Sequence, residues 1–425
     1  MERTLKRPEV LAPAGTLEKL KVAIDYGADA VYIGGDAYGL RTRAGNFSFD
    51  QMKTGVEYAH ARHAKVYVAA NIVAHEQDLP GAEDFFRNVQ AQGVDAVIVS
   101  DPALIETCIL SAPGLPVHLS TQASSCNWET LNFWQDEGLE RVVLAREVGI
   151  EEIREMRKHT DIQIEAFIHG AMCIGYSGRC VLSNHMGLRD ANRGGCAQNC
   201  RWKYDLFDLP QLGDKQSLLG TDDNGKPEAF SMSAVDMAMI EHIPDLIDAG
   251  VDSLKIEGRM KTEHYVSTVA NVYSAAVDAY MRDPEHYQTD PAWVDELWKV
   301  AQRGMSTGFY YDTPDEQDEL LGEQRKRPSY AFIGEVEHYD AATQTVTVQQ
   351  RNNFGVGDHI EFYGPGFTHY AMTVEDLHDE DGEAIDRAPH AMQIVTFHCP
   401  HRVAPGDFLR GLKVRRHTLT HVKAS

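Results

Sequence analysis

Short apolar runs alternate with amphipathic stretches through roughly the first 260 residues of the chain. Each run has few polar positions, as expected for a strand buried on both faces. Between the runs, apolar residues recur at helical spacing, for example at Leu17, Leu20 and Ile24. The predicted strands are 10–14, 29–33, 65–70, 96–100, 117–120, 141–145, 162–168 and 253–257. Strands that alternate with helices predict βαβ units and a parallel sheet.

A helix-to-strand junction repeats within this region. Each copy ends a helix on glycine, continues with an acidic residue and begins an apolar strand; the copies are Gly27-Ala-Asp-Ala-Val, Gly93-Val-Asp-Ala-Val, Gly138-Leu-Glu-Arg-Val and Gly250-Val-Asp-Ser-Leu. Eight βα units predict a TIM-type (β/α)8 barrel. A doubly wound open sheet is the alternative. Its dinucleotide-binding form is disfavoured because no G-x-G-x-x-G sequence follows a strand.

The region after the eighth strand divides into a covering helix, a linker and a second domain. Residues 260–281 have apolar positions at helical spacing, and residues 312–329 are acidic and polar. From residue 330, period-two alternation predicts a small all-β barrel domain with a basic tail that includes Arg410. The predicted domains are a barrel at 1–311 with a cysteine-rich, cluster-binding insertion at 170–205, a linker at 312–329 and the β-domain at 330–425.

Four of the seven cysteines lie close together after the seventh predicted strand. They are Cys173, Cys180, Cys196 and Cys200, with the spacing C-x6-C-x15-C-x3-C. Four thiolates from one loop are a ligand set for an iron–sulfur cluster or another soft metal. Structural zinc stays open, although zinc ligands are usually separated by two to four residues, as only Cys196 and Cys200 are. Two disulfides are a third alternative, disfavoured in a reducing compartment.

The charge distribution singles out the same loop. The chain has 64 acidic and 40 basic residues and a formal net charge of −24, which argues against a surface built for nonspecific nucleic-acid binding. Between residues 173 and 203, however, Asp190 is the single acid, and the cations are Arg179, Arg189, Arg193, Arg201 and Lys203. These five cations are candidate RNA contacts. An ordinary solvated loop is the alternative.

Polar side chains follow several of the predicted strands. In a TIM-type barrel the active-site residues lie at the C-terminal ends of the strands. The candidate catalytic residues in such positions are Gln122, Arg146, Glu147, His169, Glu257 and Arg259. Arg146, Arg179 or Arg259 would suit the binding of carboxylates, because guanidinium groups hold them bidentately. A loop-capping role is the alternative for each residue alone, and their joint position beside four cysteines favours a common site.

Composition sets the expected compartment. Hydrophobic residues make up 43% of the chain and charged residues 24%, which is typical of a globular protein. No apolar stretch approaches the length of a membrane span, and the N-terminus does not begin a secretory signal. A cytoplasmic protein that does not enter the membrane is therefore expected. The sequence leaves the oligomeric state open.

Several segments resemble peptidase family U32, the collagenase-like group. They are Leu11-Ala-Pro-Ala-Gly15, Ala30-Val-Tyr-Ile-Gly-Gly35, His118-Leu-Ser-Thr-Gln122, Val143-Leu-Ala-Arg-Glu147, Phe167-Ile-His-Gly-Ala-Met-Cys173, Ser177-Gly-Arg-Cys180 and Leu254-Lys-Ile-Glu-Gly-Arg259. The resemblance covers nearly the whole chain. Within the family it is greatest to the group of prephenate-dependent tRNA hydroxylation proteins.

This resemblance implies a reaction and a cofactor. The reaction is an oxygen-independent hydroxylation, with prephenate as cosubstrate, that gives 5-hydroxyuridine at the tRNA wobble position. The cofactor is a [4Fe–4S] cluster, whose ligands here would be Cys173, Cys180, Cys196 and Cys200. Sister groups act on ribosomal RNA or in ubiquinone synthesis. The length of the chain and its single β-domain favour the tRNA group.

A peptidase is the alternative enzyme class, and a nonenzymatic RNA-binding or cluster-sensing protein is the second alternative. Sequence motifs give a peptidase little support. His75-Glu76 lacks the second histidine of H-E-x-x-H, and Gly175-Tyr-Ser-Gly178 lacks the spacing of G-x-S-x-G. The many polar residues at the strand ends favour catalysis over binding alone.

Overall fold

The computed structural model describes residues 5–40, 45–204, 231–313 and 330–412. The chain forms two compact units, one of residues 1–294 with 302–326 and the other of residues 295–301 with 327–425. Residues 314–329 of the predicted linker and the basic tail beyond residue 412 lie outside the described part. No helix among the described residues is both long and apolar enough to cross a bilayer.

Eight parallel strands close into a barrel in the first unit. The barrel strands are β1 (Glu9–Pro13), β2 (Ala30–Gly34), β3 (Lys65–Ala70), β4 (Ala96–Val99), β5 (Val117–Leu119), β6 (Arg141–Val143), β7 (Gln163–Ala171) and β9 (Ser253–Ile256), while β8 (Asp236–Ala238) lies outside the barrel. Neighbours pair in sequence order from β1 to β7, and β9 pairs with both β7 and β1. The TIM-type barrel predicted from the sequence is confirmed.

A helix follows each of the first six barrel strands and the last one. These helices are α1 (Leu17–Asp25), α2 (Phe49–His60), α3 (Ala82–Ala91), α4 (Pro102–Ser111), α5 (Trp128–Asp136), α6 (Ile150–His159) and α9 (Glu263–Arg282). Side chains such as Thr16, Ser48 and Thr262 start their helices by accepting a backbone N–H of the first turn. The predicted covering helix is confirmed as α9, which is buried along most of its length.

The connection from β7 to β9 is the exception to this βα pattern. It contains α7 (Leu182–Gly187), β8 and α8 (Ile243–Asp248). β8 pairs antiparallel with the end of β7, and β10 (Met305–Ser306) pairs with β8. Sequence analysis did not predict β8, which has only 3 residues and so gives no periodic signal.

The repeated junction stabilises the N-terminal end of the barrel. Its glycines all have positive φ, at 101° for Gly27, 78° for Gly93, 90° for Gly138 and 84° for Gly250. The acid accepts a backbone N–H of the neighbouring strand; the pairs are Asp29 with Val10, Asp95 with Val66 and Asp252 with Ile164. The repeated junction therefore stabilises the pairing of neighbouring strands. It lies at the end of the barrel opposite the predicted site.

Inside the barrel, charged side chains form a buried network. Glu165 is fully buried and accepts hydrogen bonds from Lys255 at 2.6 Å and from Arg141 at 3.0 Å. Arg141 also donates to Glu9 at 2.8 Å, and the Tyr67 hydroxyl donates to the other Glu9 oxygen at 2.6 Å. Burial by itself would raise the pKa of Glu165, but Lys255 and Arg141 outweigh it and lower this pKa to about 2. The negative charges of two carboxylates and the positive charges of two cations thus balance inside the barrel.

The second unit is an antiparallel sheet domain, as its period-two pattern predicts. Its main sheet has the order β15-β14-β18-β11-β12-β17, and β13 pairs with β16. The bounds are β11 (Tyr330–Asp340), β12 (Thr345–Gln350), β13 (Phe354–Gly355), β14 (His359–Gly364), β15 (Thr368–Thr373), β16 (Arg387–Ala388), β17 (Ile394–His398) and β18 (Phe408–Leu412). The last residues of α10 (Pro291–Val300) belong to this unit.

Arg410 has a structural role in this unit. It is fully buried, and its guanidinium donates to Glu296 at 2.6 Å and 2.8 Å and to Glu361 at 2.7 Å. The bidentate pair with Glu296 fixes the end of α10 against β18 and β14. The expectation that Arg410 belongs to a basic tail is therefore wrong, because it lies buried within β18.

Candidate functional site

The cysteine loop, residues 172–204, begins where β7 ends at Ala171. It contains α7 and two short 3-10 turns, Ala191–Arg193 and Asn199–Arg201. Hydrogen bonds connect its parts, since the Ser183 hydroxyl donates to Asn199 at 2.7 Å and accepts the Ala197 N–H at 3.0 Å. The loop is therefore an ordered element at the C-terminal end of the barrel strands.

Three neighbouring βα connections hold the cysteine loop in place. After β6, the Glu147 carboxylate accepts the Ser177 N–H at 2.9 Å and the Ser177 hydroxyl at 3.2 Å. After β5, the Ser124 hydroxyl donates to the Ser177 carbonyl at 2.5 Å. After β3, Asp78 accepts from Arg193 at 2.9 Å. Glu147, a predicted catalytic residue, thus anchors the loop, and it does not line the cavity described below.

The four loop cysteines are free thiols near one another. Cys173 and Cys196 are exposed, whereas Cys180 and Cys200 are half-buried. Burial chiefly, with the negative charge of the other three thiolates adding to it, raises the pKa of Cys200. Of the remaining cysteines, Cys108 and Cys399 are buried, as is common for free cysteines, and Cys126 is half-buried.

The four loop sulfurs, as far as the structure describes them, do not form a preformed site for a single ion. Among the described residues, three or more potential ligand atoms lie within 4.8 Å of one another only at Glu296, Glu361 and His369, so no three cysteine sulfurs are that close. Four sulfurs around one zinc ion would be about 3.8 Å apart, because Zn–S bonds are about 2.3 Å long. The all-sulfur donor set suits iron–sulfur chemistry, and structural zinc stays open as the alternative.

A cavity of about 130 Å³ opens at the C-terminal end of the barrel. Its walls come from several strands and from the cysteine loop. Four predicted catalytic residues line it, namely Gln122, Arg146, Glu257 and Arg259. Three loop cysteines line it too, namely Cys173, Cys180 and Cys196. The structure thus brings most of the predicted catalytic residues and most of the loop cysteines together around one space.

Two cations of this cavity contact the same aromatic ring. The Arg146 guanidinium lies 4.0 Å from the centre of the Phe167 ring and 3.8 Å from the Cys173 sulfur. The Lys255 ammonium lies 5.5 Å from the Phe167 ring and 4.6 Å from the Tyr32 ring. Among the described residues, the contacts of Arg146 include no carboxylate. The cavity is therefore suited to a small anion.

Glycines make room for the third cation, Arg259. Its side chain is buried and donates to Asn46 at 3.2 Å. A Cβ at Gly34 would stand 2.1 Å from a guanidinium nitrogen, and a Cβ at Gly15 would stand 2.6 Å from the Arg259 carbonyl oxygen. Glycine is therefore required at both positions, because any larger residue would displace Arg259 from the cavity wall.

His169 does not reach this cavity. Its ring is buried against α9, where Nδ1 lies 3.2 Å from the Tyr273 hydroxyl. Burial chiefly, together with the charge of Lys261, lowers the pKa of His169 to about 3, so the ring is neutral at pH 7. A register shift in the β7–β9 ladder between Phe167 and His169 accompanies this placement. The expectation that His169 lies at the mouth of the barrel is thereby corrected.

The five predicted RNA contacts differ in their surroundings. Arg193 is paired with Asp78, and this pairing lowers the pKa of Asp78. Arg193 therefore anchors the loop, and its role as an RNA contact stays a prediction. Arg179 and Lys203 are exposed, and Arg189 and Arg201 are half-buried. An RNA contact stays a prediction for these four residues.

Lys255 and Tyr176 are among the cavity-lining residues that sequence reasoning missed. Lys255 had a signal, because it is a charged residue inside the apolar run of β9. A lysine at such a position needs a buried partner, and Glu165 on β7 provides it. Tyr176 had no signal of its own, since an aromatic residue between two cysteines is not distinctive.

Fold and site together define a (β/α)8-barrel protein whose mouth is covered by a four-cysteine loop and lined with cations. The family described as Peptidase family U32 matches residues 15–320, and the Peptidase family U32 C-terminal domain matches residues 328–410. The chain belongs to peptidase family U32.

Relatives with names based on RNA hydroxylation align with this chain. It is 50% identical to tRNA hydroxylation protein P1 of Bacillus subtilis (strain 168), over 95% of both chains. It is 35% identical to tRNA hydroxylation protein P of Escherichia coli (strain K12), over 90% of this chain and 92% of that protein. It is 38% identical to 23S rRNA 5-hydroxycytidine C2501 synthase of the same organism, over 71% of this chain and 45% of that protein.

Proposed function

We propose that the chain is a tRNA-modifying enzyme that hydroxylates the wobble uridine to 5-hydroxyuridine, without molecular oxygen and with prephenate as cosubstrate. The observation that carries the proposal is a single cavity lined by three loop cysteines and three cations. The relatives support this class of reaction, since two are named for tRNA hydroxylation and one for hydroxycytidine synthesis in 23S rRNA. The enzyme would act in the cytoplasm on tRNA.

A [4Fe–4S] cluster is the cofactor in this proposal. Cys173, Cys180, Cys196 and Cys200 would hold it, because they form an all-sulfur ligand set on one ordered loop. A bound cluster would supply redox or Lewis-acid chemistry beside the cavity. Zinc is the alternative occupant, because it also binds thiolate sulfur.

The cations would bind and orient the cosubstrate. Prephenate carries two carboxylates, and guanidinium groups bind carboxylates bidentately. Arg146 and Arg259 follow different strands of the barrel, so they would hold the two carboxylates at separate points. Lys255 lies deeper, bonded to Glu165, and would add positive charge at the base of the cavity. Gln122 and Glu257, which also line it, are suited to hydrogen bonds with a uracil edge.

The cavity does not support peptidase chemistry equally well. Nucleophilic hydrolysis needs a serine or cysteine within hydrogen-bond reach of a base. The Ser177 hydroxyl instead bonds to the loop-anchoring Glu147, and no histidine is among the described residues that line the cavity. RNA hydroxylation is therefore the function that the geometry favours.

Anaerobically purified full-length protein provides the test. We expect about four irons and four sulfides per chain. We also expect a mass increase of one oxygen in the tRNA wobble uridine, only when prephenate is added. One zinc without sulfide, together with unmodified tRNA, would overturn the proposal. Cleavage of denatured collagen with no effect on tRNA would restore the peptidase alternative.

Arg259→Ala should raise the KM for prephenate by about 10- to 150-fold, because a charged hydrogen-bond donor to a carboxylate is lost. Iron and sulfide content should stay at the wild-type level, since Arg259 is not a cluster ligand. Arg282→Gln, an exposed substitution at the end of α9, is the matched control and should change neither value. An unchanged KM in Arg259→Ala would remove Arg259 from the cosubstrate site.

A further inference from the structure

The cysteine loop exposes many large apolar side chains. They are Ile174, Tyr176, Val181, Met186, Leu188 and Trp202, with Tyr176 exposed by 68% and Leu188 by 95%. Single exposed apolar residues are ordinary, whereas a group of them on one short segment marks an interaction surface. The loop that carries the cysteines therefore also has an exposed apolar surface.

A β-turn holds the first of these aromatic residues. The Arg179 N–H donates to the Tyr176 carbonyl at 3.1 Å, which closes the turn of residues 176–179. Inside the turn, Ser177 is buried, and Gly178 has φ of +72° and leaves no room for a Cβ, which would stand 2.2 Å from the Gln122 carbonyl oxygen. Tyr176 and Arg179 flank these fixed residues, and both are exposed. The turn thus has an exposed aromatic residue at one end and an exposed arginine at the other.

The charge around this turn fits a polyanion. The chain as a whole has a formal net charge of −24, yet this loop has a single acid among its five cations. Arg193 is occupied by Asp78, whereas Arg179 and Lys203 are exposed. A local positive surface on an acidic protein attracts a negatively charged partner to that point. An uncharged apolar partner would not require these cations.

We propose that the turn of residues 176–179 binds single-stranded RNA, with a base stacked on Tyr176 and the adjoining phosphate held by Arg179. This inference rests on the proposed function and extends it to substrate recognition. Tyr176 also lines the cavity beside Cys173 and Cys180, so the stacked base lies at the entrance to the reaction site. Fully paired RNA is a poor ligand, because its bases are already stacked on one another.

Binding measurements with the full-length protein test the stacking. The probes are an RNA hairpin with uridines in its unpaired loop and a fully paired duplex of the same composition. We expect wild-type protein to prefer the hairpin, and Tyr176→Ala to bind it about 5- to 150-fold more weakly. Tyr176→Phe should bind like wild type, because the ring stacks and the hydroxyl is not needed. Phe133→Ala, which removes an aromatic residue exposed by 55% on α5, is the matched control and should have no effect.

Salt dependence tests the phosphate contact. Arg179→Gln should reduce the slope of log affinity against log salt concentration by about 0.7, the value for one phosphate on a single strand. Arg282→Gln, at an exposed arginine on α9, should leave the slope unchanged. Equal slopes for wild type and Arg179→Gln would overturn the assignment of Arg179.

The outcomes separate this inference from the proposed function. If Tyr176→Ala binds and hydroxylates the hairpin like wild type, the stacking surface is overturned and the proposed function stands. If wild-type protein neither binds nor hydroxylates the hairpin, the proposed function fails as well. Sedimentation velocity tests whether a second copy of this chain, instead of RNA, binds to this surface. A wild-type dimer that Tyr176→Ala converts to monomer would overturn the RNA surface in favour of a subunit interface.

Discussion

Cys196→Ala is expected to abolish the iron–sulfur chromophore and tRNA hydroxylation together. Cys196 is exposed at the edge of the cavity and is one of four sulfurs on one loop. Losses of residues that merely support a metal site cost about 10- to 100-fold in metal affinity or activity. Removal of a ligand should therefore cost more than about 100-fold in activity. The measurements are iron and sulfide content, the absorption spectrum and the tRNA mass assay.

Cys126→Ala is the control for this substitution. Cys126 is a half-buried thiol outside the cysteine loop, so its removal should leave iron, sulfide and activity unchanged. Because the loop is fastened by Glu147, Ser124 and Asp78, thermal unfolding of Cys196→Ala should also stay close to that of the metal-free wild type. Full activity in Cys196→Ala would rule out the cluster as a participant in the reaction.

Glu165→Gln is expected to lower the free energy of unfolding by about 3–5 kcal/mol. The substitution keeps the shape of the side chain, yet it leaves Lys255 and Arg141 buried with one negative charge fewer. Urea unfolding measures the effect. Glu151→Gln removes an exposed carboxylate paired with Arg154 and should change the free energy of unfolding by less than about 1 kcal/mol. If Glu165→Gln left the free energy of unfolding nearly unchanged, the charges of the network would not be what stabilises it.

The Glu165 carboxylate should also affect how the free energy of unfolding changes at acidic pH. The pKa of Glu165 is about 2 in the folded chain and 4.5 as the ordinary value, so its deprotonated form is favoured by folding. Its contribution is complete above about pH 4.5 and is lost as the pH falls through about 2. The stability of Glu165→Gln should therefore depend less on pH than that of wild type within this window. If the free energy of unfolding changed with pH in the same way for wild type and Glu165→Gln, the pKa assigned to Glu165 would be contradicted.

The sequence alone determined the barrel and the chemical character of its mouth. Apolar runs such as 65–70 become strands because a strand covered on both faces needs mostly apolar side chains. This pattern can be recognised from consecutive residues alone. The junction of glycine and an acid is equally local, since it depends on one positive φ and one nearby N–H. Four closely spaced cysteines were visible for the same reason, because the ligands of one loop lie together in the sequence.

Only the tertiary structure decided which polar residues share the cavity. Arg193 and Asp78 lie 115 positions apart, and no pattern in either segment indicates that they pair. His169 lies within β7, the strand that precedes the cysteine loop, and a register shift accompanies its burial against α9. Lys255 and Glu165 lie on different strands, and their contact depends on barrel closure. Periodicity reports how far each position is buried, whereas the choice of partners depends on distances that exist only after the strands have closed into a barrel.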